Sequence, residues 1–144
     1  MDDLFWMPGS FETRRSEAEL LRLLEDARSA PDWIAEGVFG RLAEHFLPHA
    51  DLLIWLDLEW SICAERLGLR ARGDAPHMGR TQTAESLESL LNWAGAYETR
   101  SNDCSRAGHA ALFEQFTGQR LRLRTVEEVR AFAENFATAH FTGL

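Results

Sequence analysis

With 144 residues, 45% of them hydrophobic, the chain is long enough to bury one sizeable core, and no Pro/Gly/Ser-rich linker divides it, so a single domain over 1–144 is expected. A formal net charge of −8 argues against a nucleic-acid or anionic-membrane surface, because those partners are held largely by positive charge. Cys63 and Cys104 give neither a disulfide framework nor a C-x-x-C metal pair, and with no basic-then-apolar leader pattern and no run of 18 apolar residues the expected location is the cytoplasm.

Ser16-Glu17-Ala18-Glu19 has the form of a capping box, and Leu20, Leu21, Leu23, Leu24 and Ala27 follow at helical spacing, which predicts a helix over 16–29 ahead of Pro31. The apolar run Trp33-Ile34-Ala35-Glu36-Gly37-Val38-Phe39 suits a buried strand leading into a functional loop. A short helix over 40–47 is stopped by Pro48. Asp51-Leu52-Leu53-Ile54-Trp55-Leu56-Asp57-Leu58 is almost continuously apolar without alternation, the pattern of a parallel-sheet strand covered on both faces. A helix over 59–69 then carries Trp60, Cys63, Ala64 and Leu67 on one face and leads Arg66, Arg70 and Arg72 toward a polar stretch.

That stretch, 72–83, has Gly73, Asp74, Pro76, Gly79 and Arg80 without periodicity and reads as a loop of functional length. Thr83 can cap a helix running to about residue 100, with Leu87, Leu90, Leu91, Ala94 and Tyr97 on its apolar face. After a polar break at 101–105 comes a helix over 106–116, then Leu121-Arg122-Leu123-Arg124, which alternates as a short strand near a sheet edge does. Thr125-Val126-Glu127-Glu128 gives a second capping box before a final amphipathic helix through Val129, Phe132, Ala133 and Phe136. The order indicates an α/β layered domain with a parallel sheet of about three strands.

Several chemistries lack their residues. His45 and His49 stand four apart, but Pro48 breaks the helix between them, so no His/Cys metal site is expected; His77 and His109 read as surface or packing residues. There is no G-x-S-x-G nucleophile signature. The phosphate-cradling motif G-x-x-x-x-G-K-[ST] is missing too: all 15 basic residues counted as Lys or Arg are arginine.

Against that absence, the order of segments resembles the adenylate-kinase-like P-loop kinases of bacteria over nearly the whole chain. The resemblance is carried by Asp2-Asp3-Leu4-Phe5-Trp6, like the end of the family's second strand; by 33–39, like its third; by 51–57, like its fourth; and by Leu91-Asn92-Trp93-Ala94-Gly95-Ala96-Tyr97-Glu98-Thr99-Arg100. It implies an incomplete P-loop-kinase fold lacking the first strand and phosphate loop, with a lid-like region at roughly 70–105. It also implies an activity of ATP-dependent phosphoryl transfer, with Mg²⁺, to a nucleotide or small-molecule hydroxyl.

By the same resemblance, Asp2 and Asp3 face the acceptor as base or orienting groups, Trp6 lines its pocket, and Glu36 with Gly37 sits near acceptor and metal. Arg66, Arg70, Arg72 and Arg100 neutralise charge on the transferring group, a task that suits the bidentate guanidinium fork. Each has a plainer alternative: solvated charges at a terminus for Asp2 and Asp3, packing for Trp6, surface ion pairs for the arginines. Asp57 lies where ligands bind open parallel sheets and serves equally as a helix N-cap.

In the related kinases the strand before the phosphate loop lies between the segments matched by 33–39 and 51–58, so its absence opens a gap there. Three readings follow: a kinase whose upstream portion begins before Met1, inactive as this chain; a non-catalytic nucleotide or small-molecule binding module; and an interaction protein whose open strand edges pair in a homodimer or with a partner.

Overall fold

The computed structural model describes residues 1–9, 13–72 and 84–141; the side chains of Arg72, Ala84 and residues 137–141 lie outside that description. The expected loop at 72–83 and the Thr83 cap therefore fall almost wholly outside the described residues. The chain is mixed α/β. A one-turn helix α1 (Asp2–Phe5) is followed by α2 (Glu17–Arg28), α3 (Gly40–Phe46), a 3₁₀ turn at Leu47–His49, β1 (Leu52–Leu56), α4 (Trp60–Arg72) and α5 (Ala84–Gly95). A second 3₁₀ turn at Ala96–Glu98, α6 (Arg106–Gln115), β2 (Gln119–Leu123) and α7 (Val126–Phe141) complete it.

The helix signals act through their caps. The Ser16 side chain accepts from the Glu19 amide at 3.3 Å, while the Glu19 carboxylate turns to Arg15 at 2.5 Å, so the predicted box closes on one side only. At α7 both halves close: the Glu128 amide donates to Thr125 Oγ1 at 3.1 Å, and the Thr125 amide donates to Glu128 Oε2 at 3.3 Å. Ser105, which is fully buried, caps α6 by accepting from the Gly108 amide at 3.0 Å.

The sheet has two strands among the described residues, where about three were expected. β1 and β2 run parallel, with Leu52 opposite Gln119, Ile54 opposite Leu121 and Trp55 opposite Arg122. The expected strand at 33–39 does not form. Its backbone has no ladder, because no described strand lies beside it, yet it keeps a partial inside/outside alternation: Trp33, Ala35 and Phe39 pack on the core while Ile34 is 90% exposed. The segment at Asp2–Phe5, matched by resemblance to a strand end, is a helical turn instead, closed by the Phe5 amide on the Met1 carbonyl at 3.1 Å.

The main core gathers Leu24 of α2 with Leu42 and Phe46 of α3, and Met1, Leu4, Phe5, Leu20, Trp33 and Phe39 pack around them. Trp55 and Leu123 of the sheet, and Cys104 in the turn before α6, are buried outside this cluster. The two parts meet where the start of α3 abuts the turn before α6: the Arg41 amide donates to Asp103 Oδ2 at 3.2 Å, and a Cβ at Gly40 would collide with the Asp103 carbonyl. A residue with no Cβ is required at that crossing. Gly40→Ala should lower stability by about 1–3 kcal/mol through overpacking, read as a reduced urea midpoint at unchanged slope; an unchanged midpoint would show that the crossing is looser than described.

Candidate functional site

Two neighbouring features concentrate the chemistry. The first is a polar cluster at the carboxyl end of β1. Asp57 follows the strand, its amide donating to the Leu123 carbonyl at 2.8 Å, which extends the parallel ladder by one bond. Its side chain is 7% exposed and is held from two elements. Arg106, in the first turn of α6, donates Nε to Oδ1 and Nη2 to Oδ2, both at 3.0 Å. Arg122 of β2 donates Nε to Oδ2 at 2.8 Å and a second bond from Nη2 to the same oxygen. Burial alone would push the Asp57 carboxyl up; hydrogen bonds from Arg106 and Arg122, with their charges, outweigh it and hold the group below the ordinary carboxylate value.

Trp55 forms the floor of this cluster. The Arg122 guanidinium lies 4.3 Å and the Arg106 guanidinium 6.0 Å from its ring centre. Its indole Nε1 donates to Tyr97 Oη at 3.3 Å. Because indole only donates, Tyr97 accepts there and sends its own proton to His109 Nδ1 at 2.8 Å, which leaves the imidazole proton on Nε2, facing the Val38 carbonyl at 2.9 Å. A continuous chain of hydrogen bonds thus ties β1 to the turn after α5, to α6 and to the 33–39 segment. Burial raises the Tyr97 hydroxyl above its usual value, consistent with a phenol that stays protonated in this relay.

The second feature is an open cleft of about 3570 Å³ that reaches from α1 and the 33–39 segment across β1 to α4 and α5. Most of the residues singled out from sequence reach it. Asp2, Trp6, Glu36, Gly37, Arg66, Arg70 and Arg100 all line the cleft. Asp3 is exposed and does not line it; its carbonyl accepts from Arg15 at 3.4 Å. Arg72 ends α4, and its side chain lies outside the described residues.

The lining residues differ in freedom. Trp6 is fixed by an antiparallel bridge to Arg14 and by edge contact with Phe5 at 4.8 Å, and Phe5 stacks on Phe39 at 4.4 Å. The Glu36 side chain is exposed, so the cost of a buried carboxylate does not arise there; its carbonyl accepts from the Met1 amino group at 2.6 Å. Gly37 has φ of 145°, a conformation side chains resist, with Met1 packed against it. Arg66 and Arg70 are exposed on α4. Arg100 is anchored instead: it donates to the carbonyls of Trp93 at 2.6 Å and Cys104 at 2.8 Å and stacks on the Trp93 ring at 4.0 Å.

Pattern reading singled out Asp57 but not its two arginines. Asp57 is not the N-cap of α4, since that helix begins at Trp60 and the Asp57 carboxylate is engaged by guanidinium groups. The available signal was the parallel register: once 51–57 and 121–124 are paired, Arg122 falls beside Trp55 and one step from Asp57. Among the described residues no three His, Cys, Asp or Glu side chains converge as a metal site, and no helix is long and apolar enough to cross a membrane.

No family model, curated protein or solved structure matches the chain.

Two outcomes test the cluster. Asp57→Asn should cost about 2–3 kcal/mol, somewhat below the value for a fully buried pair because both arginines keep part of their surface in water. Since the folded carboxyl titrates below its unfolded value, this stabilisation is fully present above about pH 4 and fades as pH falls through the folded value, so the deficit of the variant should shrink in acid. A deficit constant down to pH 2 would contradict the ion-pair origin. Tyr97→Phe, which strands both Trp55 Nε1 and His109 Nδ1, should lower stability by about 1–3 kcal/mol in the same urea assay.

Proposed function

We propose that this chain carries the acceptor and lid portion of a P-loop-kinase-like phosphotransferase. The single observation supporting this reading is that Asp2, Trp6, Glu36, Gly37, Arg66, Arg70 and Arg100, from four separate stretches of sequence, line one cleft. Carboxylates and guanidinium groups lining one cleft are what an acceptor hydroxyl and a charged phosphoryl group require.

In this reading Asp2, assisted by the nearby Asp3, orients an acceptor hydroxyl or takes its proton, Trp6 walls the acceptor, and Glu36 with Gly37 faces it. Arg66, Arg70 and Arg72 meet phosphate oxygens, and Arg100 supports them from the wall to which its own hydrogen bonds hold it. The acceptor is a nucleotide or a small hydroxyl compound. ATP and Mg²⁺ would accompany a phosphate-binding loop of the form G-x-x-x-x-G-K-[ST], a motif these 144 residues do not contain.

The 144-residue chain should transfer no phosphate from Mg-ATP to nucleosides or nucleoside monophosphates, while calorimetry with nucleoside monophosphates should give saturable heat. Arg66→Ala and Arg70→Ala should each weaken that binding by about 1.5–3 kcal/mol, the scale of a hydrogen bond to a charged group. Absence of heat with any nucleotide would remove both the acceptor reading and the binding-module alternative. The kinase assignment also requires G-x-x-x-x-G-K-[ST] in frame upstream of Met1, within about 30 residues, the span of one βαβ unit; its absence there would sink that assignment. An interaction protein remains the second reading because β1 has one strand partner only among the described residues; a homodimer formed through that edge would appear as concentration-dependent light scattering.

A further inference from the structure

The described residues of 1–50 and of 51–141 each keep apolar packing of their own. Leu24, Leu42 and Phe46, with the side chains packed around them from Met1 to Phe39, all belong to 1–50. The β1–β2 pair, the Trp55–Phe113 contact and the Tyr97–His109 contact all belong to 51–141. The chain passes from one part to the other between Ala50 and Asp51, ahead of β1. Three further approaches tie the parts. His109 Nε2 donates to the Val38 carbonyl at 2.9 Å, the Arg41 amide donates to Asp103 Oδ2 at 3.2 Å, and Gly40 passes too close to the Asp103 carbonyl to carry a Cβ. All three join 38–41 to 103–109, and α3 packs on α6 at the same place.

These ties are small and polar. A hydrogen bond exchanged with water contributes little net stability, whereas each part has buried apolar side chains of its own. The start of α3 also depends on the other part. Phe39 at its N-cap offers no capping side chain, so the Asp103 carboxylate, 62 residues away, takes the Arg41 amide instead. Cys104, the residue after Asp103, is buried there with its thiol against the Gly40 backbone.

We propose that 38–41 against 103–109 is a hinge joint, at which residues 1–50 swing as one body away from 51–141 while both stay folded. The inference depends neither on phosphoryl transfer nor on any occupant of the cleft. The two parts line that cleft together, 1–50 through α1 and 33–42 and 51–141 through β1, α4 and α5, so the swing sets its width. Because the ties sit on two short segments, they part in one event. That event orphans the Arg41 amide on one side and uncovers the Cys104 thiol on the other.

Native-state exchange on the whole chain, in urea below the unfolding transition, reads the joint from both sides. The Arg41 amide is followed by hydrogen exchange, and the Cys104 thiol by labelling located by peptide mass spectrometry and corrected for the reactivity of an exposed thiol. Both should report one opening, equal within about threefold, populated about tenfold or more above the opening that frees the Leu24 and Asp57 amides, and with a shallower urea dependence. His109→Ala, which leaves Arg41 and Asp103 in place, removes the Val38 bond and should raise both signals by a common factor of about three or more. Unequal openings at Arg41 and Cys104 would be separate local fraying and overturn the proposal. An opening with the urea dependence of Leu24 and Asp57 would be global unfolding and overturn it equally, as would an unchanged signal at either probe in folded His109→Ala. If that variant does not fold, the wild-type comparison decides alone.

Discussion

The Asp57 carboxylate is the point on which the sheet side of this molecule depends. Two short parallel strands make few backbone bonds, and such a pair is marginal unless other elements pack on it. Asp57 joins three of them: it ends β1, accepts from Arg122 of β2, and accepts from Arg106 at the start of α6. With four N–H groups on two oxygens, the carboxylate has little acceptor capacity left, and the two guanidinium planes cover the Trp55 ring that forms the inner face of β1. Taking that charge from water is offset by the hydrogen bonds and opposite charges of Arg106 and Arg122, whose own desolvation cost is small because both keep part of their surface in water.

The same arrangement explains why the molecule is asymmetric across β1. On the β2 side lie the ladder, the ion pairs and the buried Trp55 and Leu123. On the other side, Leu52, Ile54 and Leu56 have no strand partner among the described residues, and the 33–39 segment is held by the Val38 carbonyl to His109 and by Met1 to Glu36, not by strand pairing. The Trp55–Tyr97–His109–Val38 chain thus links β1 to the 33–39 segment through side chains of the turn after α5 and of α6. Asp2, Glu36, Arg66 and Arg70 line the same cleft.

Much of the scaffold was legible where local rules suffice. Ser16 and Thr125 sit at helix starts because their hydroxyls satisfy otherwise orphaned amides, and the apolar run after Asp51 lacks the alternation of a half-exposed strand and is too short for a helix. Legibility failed where pairing decides. Trp33–Phe39 has the composition of a strand, but a ladder needs a neighbour, and sequence pattern does not carry the neighbour's presence. Arg106 and Arg122 were invisible for a related reason: 49 and 65 residues from Asp57, they become its partners only through the parallel register and the α6 cap. His109 read as packing because nothing local marks a histidine that relays between a phenol and a carbonyl.

The central claim is that β1 is clamped on one edge and, among the described residues, unpaired on the other, and residue-resolved amide hydrogen exchange on the isolated chain tests it most directly. Amides on the clamped edge, Leu53, Trp55 and Asp57, should be protected to the level of global unfolding, while Ile54 and Leu56 between them exchange at rates close to those of exposed peptide. Equal protection along the whole strand would contradict the account, because it would require a hydrogen-bonding partner on the edge that no described strand covers.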